Sequence, residues 1–161
     1  MKHLKKTNAA RILDNLGIKY EIKTYEVDES DLSAEHIAKV AGLDIEKVFK
    51  TLVARGDKSG IIMAVIGGGE ELDLKLLAKV SGNKSVAMIA LKELLPLTGY
   101  IRGGCSPLGA KKNYPVYLDN KALSQDKISI SAGQRGMQLI LSPQDLITAT
   151  NATVADLITN H

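Results

Sequence analysis

Cysteine, aromatic residues and a strong excess of either charge are all scarce in this chain. The one cysteine, Cys105, cannot close an internal disulfide, which excludes a small secreted scaffold held by bridges. Tryptophan is absent, Phe49 is the only phenylalanine and five tyrosines complete the aromatic set, so the core must be built mainly from Leu, Ile, Val and Ala. No window approaches the roughly 18 uninterrupted apolar residues of a membrane span. The opening residues, MKHLKKTNAARILDNLG, lack the apolar stretch of a signal sequence. A cytoplasmic protein is therefore expected, in which the sequon Asn151-Ala152-Thr153 has no meaning. The net charge of +3 permits a polyanionic partner but falls well short of the dense basic stripe of a dedicated nucleic-acid binder.

What is present is ordinary globular material. Of 161 residues, 45% are hydrophobic and 24% charged, close to average usage, and the length suits a single domain spanning 1–161. Thr7 precedes Ala9, Ala10, Ile12, Leu13 and Leu16 at helical spacing and Gly17 follows, which predicts a capped first helix. Ile18 to Tyr25 alternates, with Tyr20, Ile22 and Thr24 on one face, and reads as a strand with Tyr20 pointing inward. Ser33 caps a helix through Val40, Gly42 punctuates, and Asp44 opens another turn running into Val48. Phe49 to Ala54 and Ile61 to Ile66 form a hairpin across Arg55-Gly56-Asp57-Lys58-Ser59-Gly60.

Helical faces follow at Asp73 to Val80 and at Leu91, Leu94 and Leu95, the latter ending at Pro96. Val116 to Leu118, Ile128 to Ser131 and Met137 to Leu141 are strand-like, with Gly133 to Gly136 as a tight turn, and helical turns are expected after Ser142 and Thr153. The fold class this predicts is α+β, one domain with a curved, mostly antiparallel mixed sheet forming a barrel-like pocket flanked by helices.

Two phosphate-binding motifs are approached and missed. Gly67-Gly68-Gly69 follows an apolar strand, but Glu70, Glu71 and Leu72 stand where a dinucleotide fingerprint needs its last glycine. GCSPLGAKK at 104–112 has Ala110 in place of the phosphate-loop lysine. His3, His36 and His161 lie far apart without acidic or cysteine ligands at metal spacing, so neither a metal nor any other cofactor is expected.

Two segments carry candidate chemistry. Lys50 sits inside the apolar run Val48-Phe49-Lys50-Thr51-Leu52, where it either snorkels to a strand edge or lines a pocket and stabilises developing negative charge. Gly103-Gly104-Cys105-Ser106-Pro107 is either a surface turn or a loop whose N–H groups approach a ligand closely. Cys105 has no histidine near it in sequence and reads as a small hydrophobe rather than a nucleophile.

The order of Tyr20, Val48 to Leu52, Tyr100-Ile101-Arg102-Gly103-Gly104-Cys105-Ser106-Pro107-Leu108-Gly109 and Ile130-Ser131-Ala132-Gly133-Gln134-Arg135-Gly136 resembles the YbaK/EbsC family. That family is related to the editing insertion of bacterial prolyl-tRNA synthetases. The Gly103 to Pro107 stretch fits the Gly-x-x-x-Pro pattern that the two share. The resemblance implies an aminoacyl-tRNA deacylase whose activity depends on Lys50, with Tyr20, Thr51, Gly103 and Ser131 lining the aminoacyl pocket. It implies clearance of cysteine mischarged onto tRNA for proline, and of cysteinyl-tRNA for cysteine, with the substrate thiol attacking its own ester, and transient work beside prolyl-tRNA synthetase. One position departs from the pattern: where the family often has an aspartate, this chain reads Gln138. Lys2, Lys5, Lys6, Arg11, Lys111 and Lys112 are candidate phosphate contacts. Two other readings stand beside this one: a water-dependent deacylase of alanyl-tRNA with the same fold, and a non-catalytic module that holds tRNA or a synthetase.

Overall fold

Short polar caps set the helix boundaries. A computed structural model describes residues 6–159; Lys2, His3, Lys5 and His161 lie outside the described residues. The Thr7 hydroxyl accepts from the Ala10 N–H to start α1 (Asn8–Asn15), and Ser33 does the same for His36 at α2 (Ala34–Ala41). Asp73 accepts from both Lys75 and Leu76 at the head of α3 (Leu74–Ser81), and Ser142 caps α5 (Pro143–Thr150). Each such cap is worth about 1 kcal/mol. Pro96 does not end the helix α4 (Leu94–Thr98) but lies within it. Its ring falls in the first turn, where no N–H is needed, and Gly99 ends the helix instead.

The strands divide into two sheets. β1 (Glu21–Thr24), β7 (Met137–Leu141) and β6 (Ile128–Ser131) form a three-stranded sheet in the order β1-β7-β6. The second sheet has the order β4-β2-β3-β5-β8, from β2 (Phe49–Gly56), β3 (Gly60–Gly67), β4 (Val86–Met88), β5 (Val116–Asp119) and β8 (Thr153–Ala155). Among the described strands, four pairings are antiparallel and two, β3 with β5 and β5 with β8, are parallel. The sheets meet at an isolated bridge between Val48 and Ser129. The α+β class expected from the sequence holds, as one mixed, mostly antiparallel strand system flanked by helices, split into two sheets rather than closed. Residues after Thr153 form β8, not a helical turn.

The central strand β3 shows why the layers stack. Met63 and Val65 face a core shared with Leu13, Phe49, Val53, Leu118, Ile130 and Leu139. Ile62, Ala64 and Ile66 face the opposite side, where Leu77 and Ala78 of α3 cover them. All five β3 residues are buried, so this strand carries an unbroken apolar run instead of alternation. β2 is its partner throughout and inherits the same two faces, with Phe49, Thr51 and Val53 on one and Lys50, Leu52 and Ala54 on the other.

Beyond β3, β2 has only partial neighbours. β4 pairs with Ala54 to Gly56, and the Val48 bridge to Ser129 lies before Phe49. Val53 O still accepts from Ile89 N at 3.3 Å, so it is residues 49–52 that have no described strand alongside them on that edge. The gap between the two sheets opens there.

Candidate active site

The gap holds a cavity of about 500 Å³, within the range of small-molecule sites. Lys50 and Thr51 line one wall from β2, Arg102, Gly103 and Cys105 another, and Ser131 and Gln138 a third from β6 and β7. Apolar contributions come from Met88 and Ile89 on the β4 side and from Leu32 and Ile37 around α2. A second cavity of about 450 Å³ lies behind the Gly67 to Gly69 loop, lined by Glu46, Glu70, Lys121 and Gln125. It contains neither Lys50 nor the Gly103 loop.

Four of the five site residues expected from the sequence, Lys50, Thr51, Gly103 and Ser131, thus share one cavity. Tyr20 does not join them. It precedes β1 rather than lying in it, packs partly against the main core, and donates its hydroxyl to Asp14 Oδ1 at 2.9 Å. Asp14 in turn takes Lys6 Nζ at 2.6 Å. The Lys6 hydrogen bond, followed by that from Tyr20, lowers the Asp14 pKa, while partial burial, followed by the bond to Asp14, raises that of Tyr20. The trio satisfies itself on the outer surface. Tyr20 thus turns its ring toward the core, as the alternation expected, but it lies outside the short strand β1 and outside the cavity lining.

Several polar groups of the cavity keep hydrogen-bonding capacity unspent. Thr51 Oγ1 is buried without a hydrogen-bond partner, on a residue that lines the cavity. A buried hydroxyl in that condition is costly. Gln138 is 2% exposed; its Oε1 accepts from Ser129 Oγ at 2.8 Å, while its Nε2 has no described partner. Ser131 Oγ accepts from Gly133 N at 3.1 Å. The Lys50 ammonium makes no hydrogen bond or ion pair among the described residues.

The Gly103 loop is fixed from two sides. Gly104 N donates to Ile101 O at 2.9 Å, closing a turn in which Gly103 has φ 84, a conformation that a side chain would strain. Arg135 Nε donates to Arg102 O at 2.8 Å, tying the loop to the β6–β7 turn. A Cβ on Gly104 would stand 3.2 Å from the Gln134 and Arg135 backbone. With the Gly104 N–H spent on the turn, the N–H groups of Gly103 and Cys105 remain as donors without a described partner.

Cys105 reaches the cavity wall, but burial pushes its thiol up to about 12, so it stays protonated near neutrality and is a poor nucleophile. The nearby Tyr100 hydroxyl, which donates to Leu108 O, is also raised to about 12, first by burial and then by Cys105. Among the described residues no three His, Cys, Asp or Glu side chains come together to hold a metal ion. His36 instead stands 3.7 Å from Asp31 at the surface.

The triple glycine has a packing role. A Cβ on Gly68 would lie 2.3 Å from Ala34 Cβ and 3.1 Å from Val48 O, so only glycine lets the start of α2 seat against β3. That seating brings Glu35 to the cavity, a residue the sequence reading did not single out. It also missed β4, whose three residues are too few to show a pattern. Of the candidate phosphate contacts, Lys6 is paired with Asp14 and Lys111 Nζ donates to Pro96 O at 3.3 Å. Arg11 and Lys112 have no described partner.

Known proteins resemble this chain in sequence and in fold. The chain is 47% identical over 160 residues to EbsC of Enterococcus faecalis, which bears the name of a Cys-tRNA(Pro)/Cys-tRNA(Cys) deacylase, covering 99% of this chain and 98% of that one. It is 29% identical over 100 residues to the proline–tRNA ligase of Fervidobacterium nodosum, spanning 62% of this chain but 17% of the ligase. A crystal structure described as a trans-editing enzyme for prolyl-tRNA synthetase superposes with a TM-score of 0.80 at 26% identity, covering 97% of this chain and all of that one. The sequence profile of the aminoacyl-tRNA editing domain matches residues 28–149, a span that holds Lys50, Thr51, Gly103 and Ser131, and the chain belongs to that family.

Proposed function

We propose that this protein is a trans-editing aminoacyl-tRNA deacylase that clears cysteine mischarged onto tRNA for proline and also acts on cysteinyl-tRNA for cysteine. The observation that carries this reading is the meeting of Lys50, Thr51, Gly103 and Ser131 on one cavity with hydrogen-bonding capacity unspent. The whole chain is taken as one editing domain working in the cytoplasm. It meets prolyl-tRNA synthetase transiently, a partner suggested by the likeness to a proline–tRNA ligase.

Cleavage passes through a tetrahedral oxyanion. Lys50 and the N–H groups of Gly103 and Cys105 supply positive charge and donors for that oxygen in a partly dehydrated cavity. Thr51 Oγ1 and Gln138 Nε2 give further contacts that only a ligand completes.

No side chain of the cavity is an activated nucleophile, since Cys105 is held protonated. The substrate thiol fills that role. With a pKa of about 8.5 it is a few per cent thiolate at neutral pH and strongly nucleophilic, and fixing it beside the ester supplies most of the acceleration. The sulfur bonds to the carbonyl carbon, the oxyanion collapses, and the carbon–oxygen bond to the ribose breaks. The thiol proton ends on the ribose oxygen and the amino acid leaves as a cyclic thioester. Chemistry then discriminates where a pocket separates side chains differing by one methylene by only about 10- to 200-fold: serine offers a weaker nucleophile and alanine none.

Deacylation of cysteinyl-, alanyl- and prolyl-tRNA for proline tests the proposal. Clearance of the cysteinyl ester alone supports substrate-thiol chemistry. Preference for alanyl-tRNA identifies the water-dependent enzyme, and cleavage of none identifies a binding module.

A further inference from the structure

The deacylase reading, on which this inference rests, puts an aminoacyl ester in the cavity, and such an ester carries an α-amino group. The electron-withdrawing ester holds its pKa below the roughly 7.7–8.0 of a chain terminus, so near neutrality a substantial fraction of that group is an ammonium. A cation drawn into a partly dehydrated site needs an anionic or hydrogen-bonding partner. The charged side chains lining the cavity are Lys50, Arg102 and Glu35, so a single carboxylate stands against two cations. Gln138 on β7, whose Oε1 already accepts from Ser129, is neutral and brings no charge to balance an ammonium.

Glu35 is placed for the task. Its carboxylate borders the cavity beside Gly69, with Oε1 3.8 Å from the position of a Gly69 Cβ. Among the described residues Glu35 makes no ion pair or side-chain hydrogen bond, whereas Glu70 and Glu93 are tied to Lys121 and Arg55. The contact of Ala34 with Gly68 holds its helix against the sheet.

We propose that Glu35 receives the α-ammonium of the aminoacyl group, orienting the ester carbonyl away from it toward Lys50 and the Gly103 loop. The enzyme thereby selects esters with a free amino group and spares those whose nitrogen is acylated, the class that includes peptidyl-tRNA.

Deacylation of cysteinyl-tRNA and N-acetylcysteinyl-tRNA is to be compared for wild type, Glu35→Gln and Glu35→Asp, with folding followed by circular dichroism. Wild type is expected to prefer the free amine. Glu35→Gln reduces that preference by about two- to five-fold, the size of one exposed ion pair, mainly by raising KM for the free amine, and Glu35→Asp keeps part of it. An unchanged preference in a folded Glu35→Gln overturns the assignment. If wild type cleaves neither ester, the deacylase reading itself falls and this assignment goes with it.

Discussion

Two polar clusters of this protein differ in how far they satisfy themselves. On the outer surface Lys6, Asp14 and Tyr20 satisfy one another. In the cavity Lys50 and Thr51 Oγ1 lack any described partner and Gln138 uses only half of its amide. A closed trio needs nothing more to be stable, whereas an open set costs stability that only a ligand recovers. Unspent hydrogen-bonding capacity is thus a better guide to the site than the mere presence of a tyrosine or lysine in a family motif.

The largest effect expected from breaking this contrast is at Lys50. Lys50→Ala should lower kcat/KM for cysteinyl-tRNA by about 10²- to 10³-fold, the cost of removing one electrostatic stabiliser of an oxyanion, while thermal unfolding stays near wild type. Gly103→Ala comes next. At φ 84, with Leu32 Cδ2 only 3.3 Å from the new Cβ, it should cost about 1–2 kcal/mol of stability in denaturant titration and displace the loop, lowering activity as well.

Thr51→Val sharpens the comparison because its two readouts move in opposite directions. Removing a buried hydroxyl without a partner should raise stability by about 1 kcal/mol. The lost ligand contact should reduce kcat/KM by about five- to ten-fold. If Thr51→Val lowers stability, the hydroxyl is already satisfied in the free protein.

How far the sequence carried depended on local signals. Thr7, Ser33, Asp73 and Ser142 marked helix starts because a side-chain oxygen and its N–H target lie within three residues. The β2–β3 hairpin was legible from two apolar runs and a polar turn. β8 was misread because three residues at a parallel edge show no period, and Pro96 because a five-residue helix is all first turn. The division into two sheets is a property of long-range pairing that no local window holds. At the site, Lys50, Thr51, Gly103 and Ser131 were recognisable from their motifs. Glu35 was not, since its place depends on Gly68 touching Ala34, a contact between segments more than thirty residues apart.

A smaller effect concerns Cys105. Burial raises its thiol from an ordinary 9.0 to about 12, so its contribution to stability is fully present below about pH 9 and is lost as pH rises toward 12. Urea titrations across that window should show a decline that Cys105→Ala reduces, and the folded protein should resist iodoacetamide at pH 8 until unfolded. Smallest of all is Tyr20→Phe, which opens the outer trio. It should leave deacylation unchanged, and a large loss of activity would place Tyr20 in the reaction after all.

The claim that the gap between the sheets is where the ester sits is tested most directly with a stable amide analogue, adenosine bearing a 3′-cysteinylamido group, followed by amide chemical shifts in solution. Perturbations centred on Lys50, Thr51, Gly103, Ser131 and Gln138 are the expected result. Perturbations centred on Asp14 and Tyr20, or on Glu46, Glu70 and Lys121 around the second cavity, with the Lys50 wall unmoved, would contradict it.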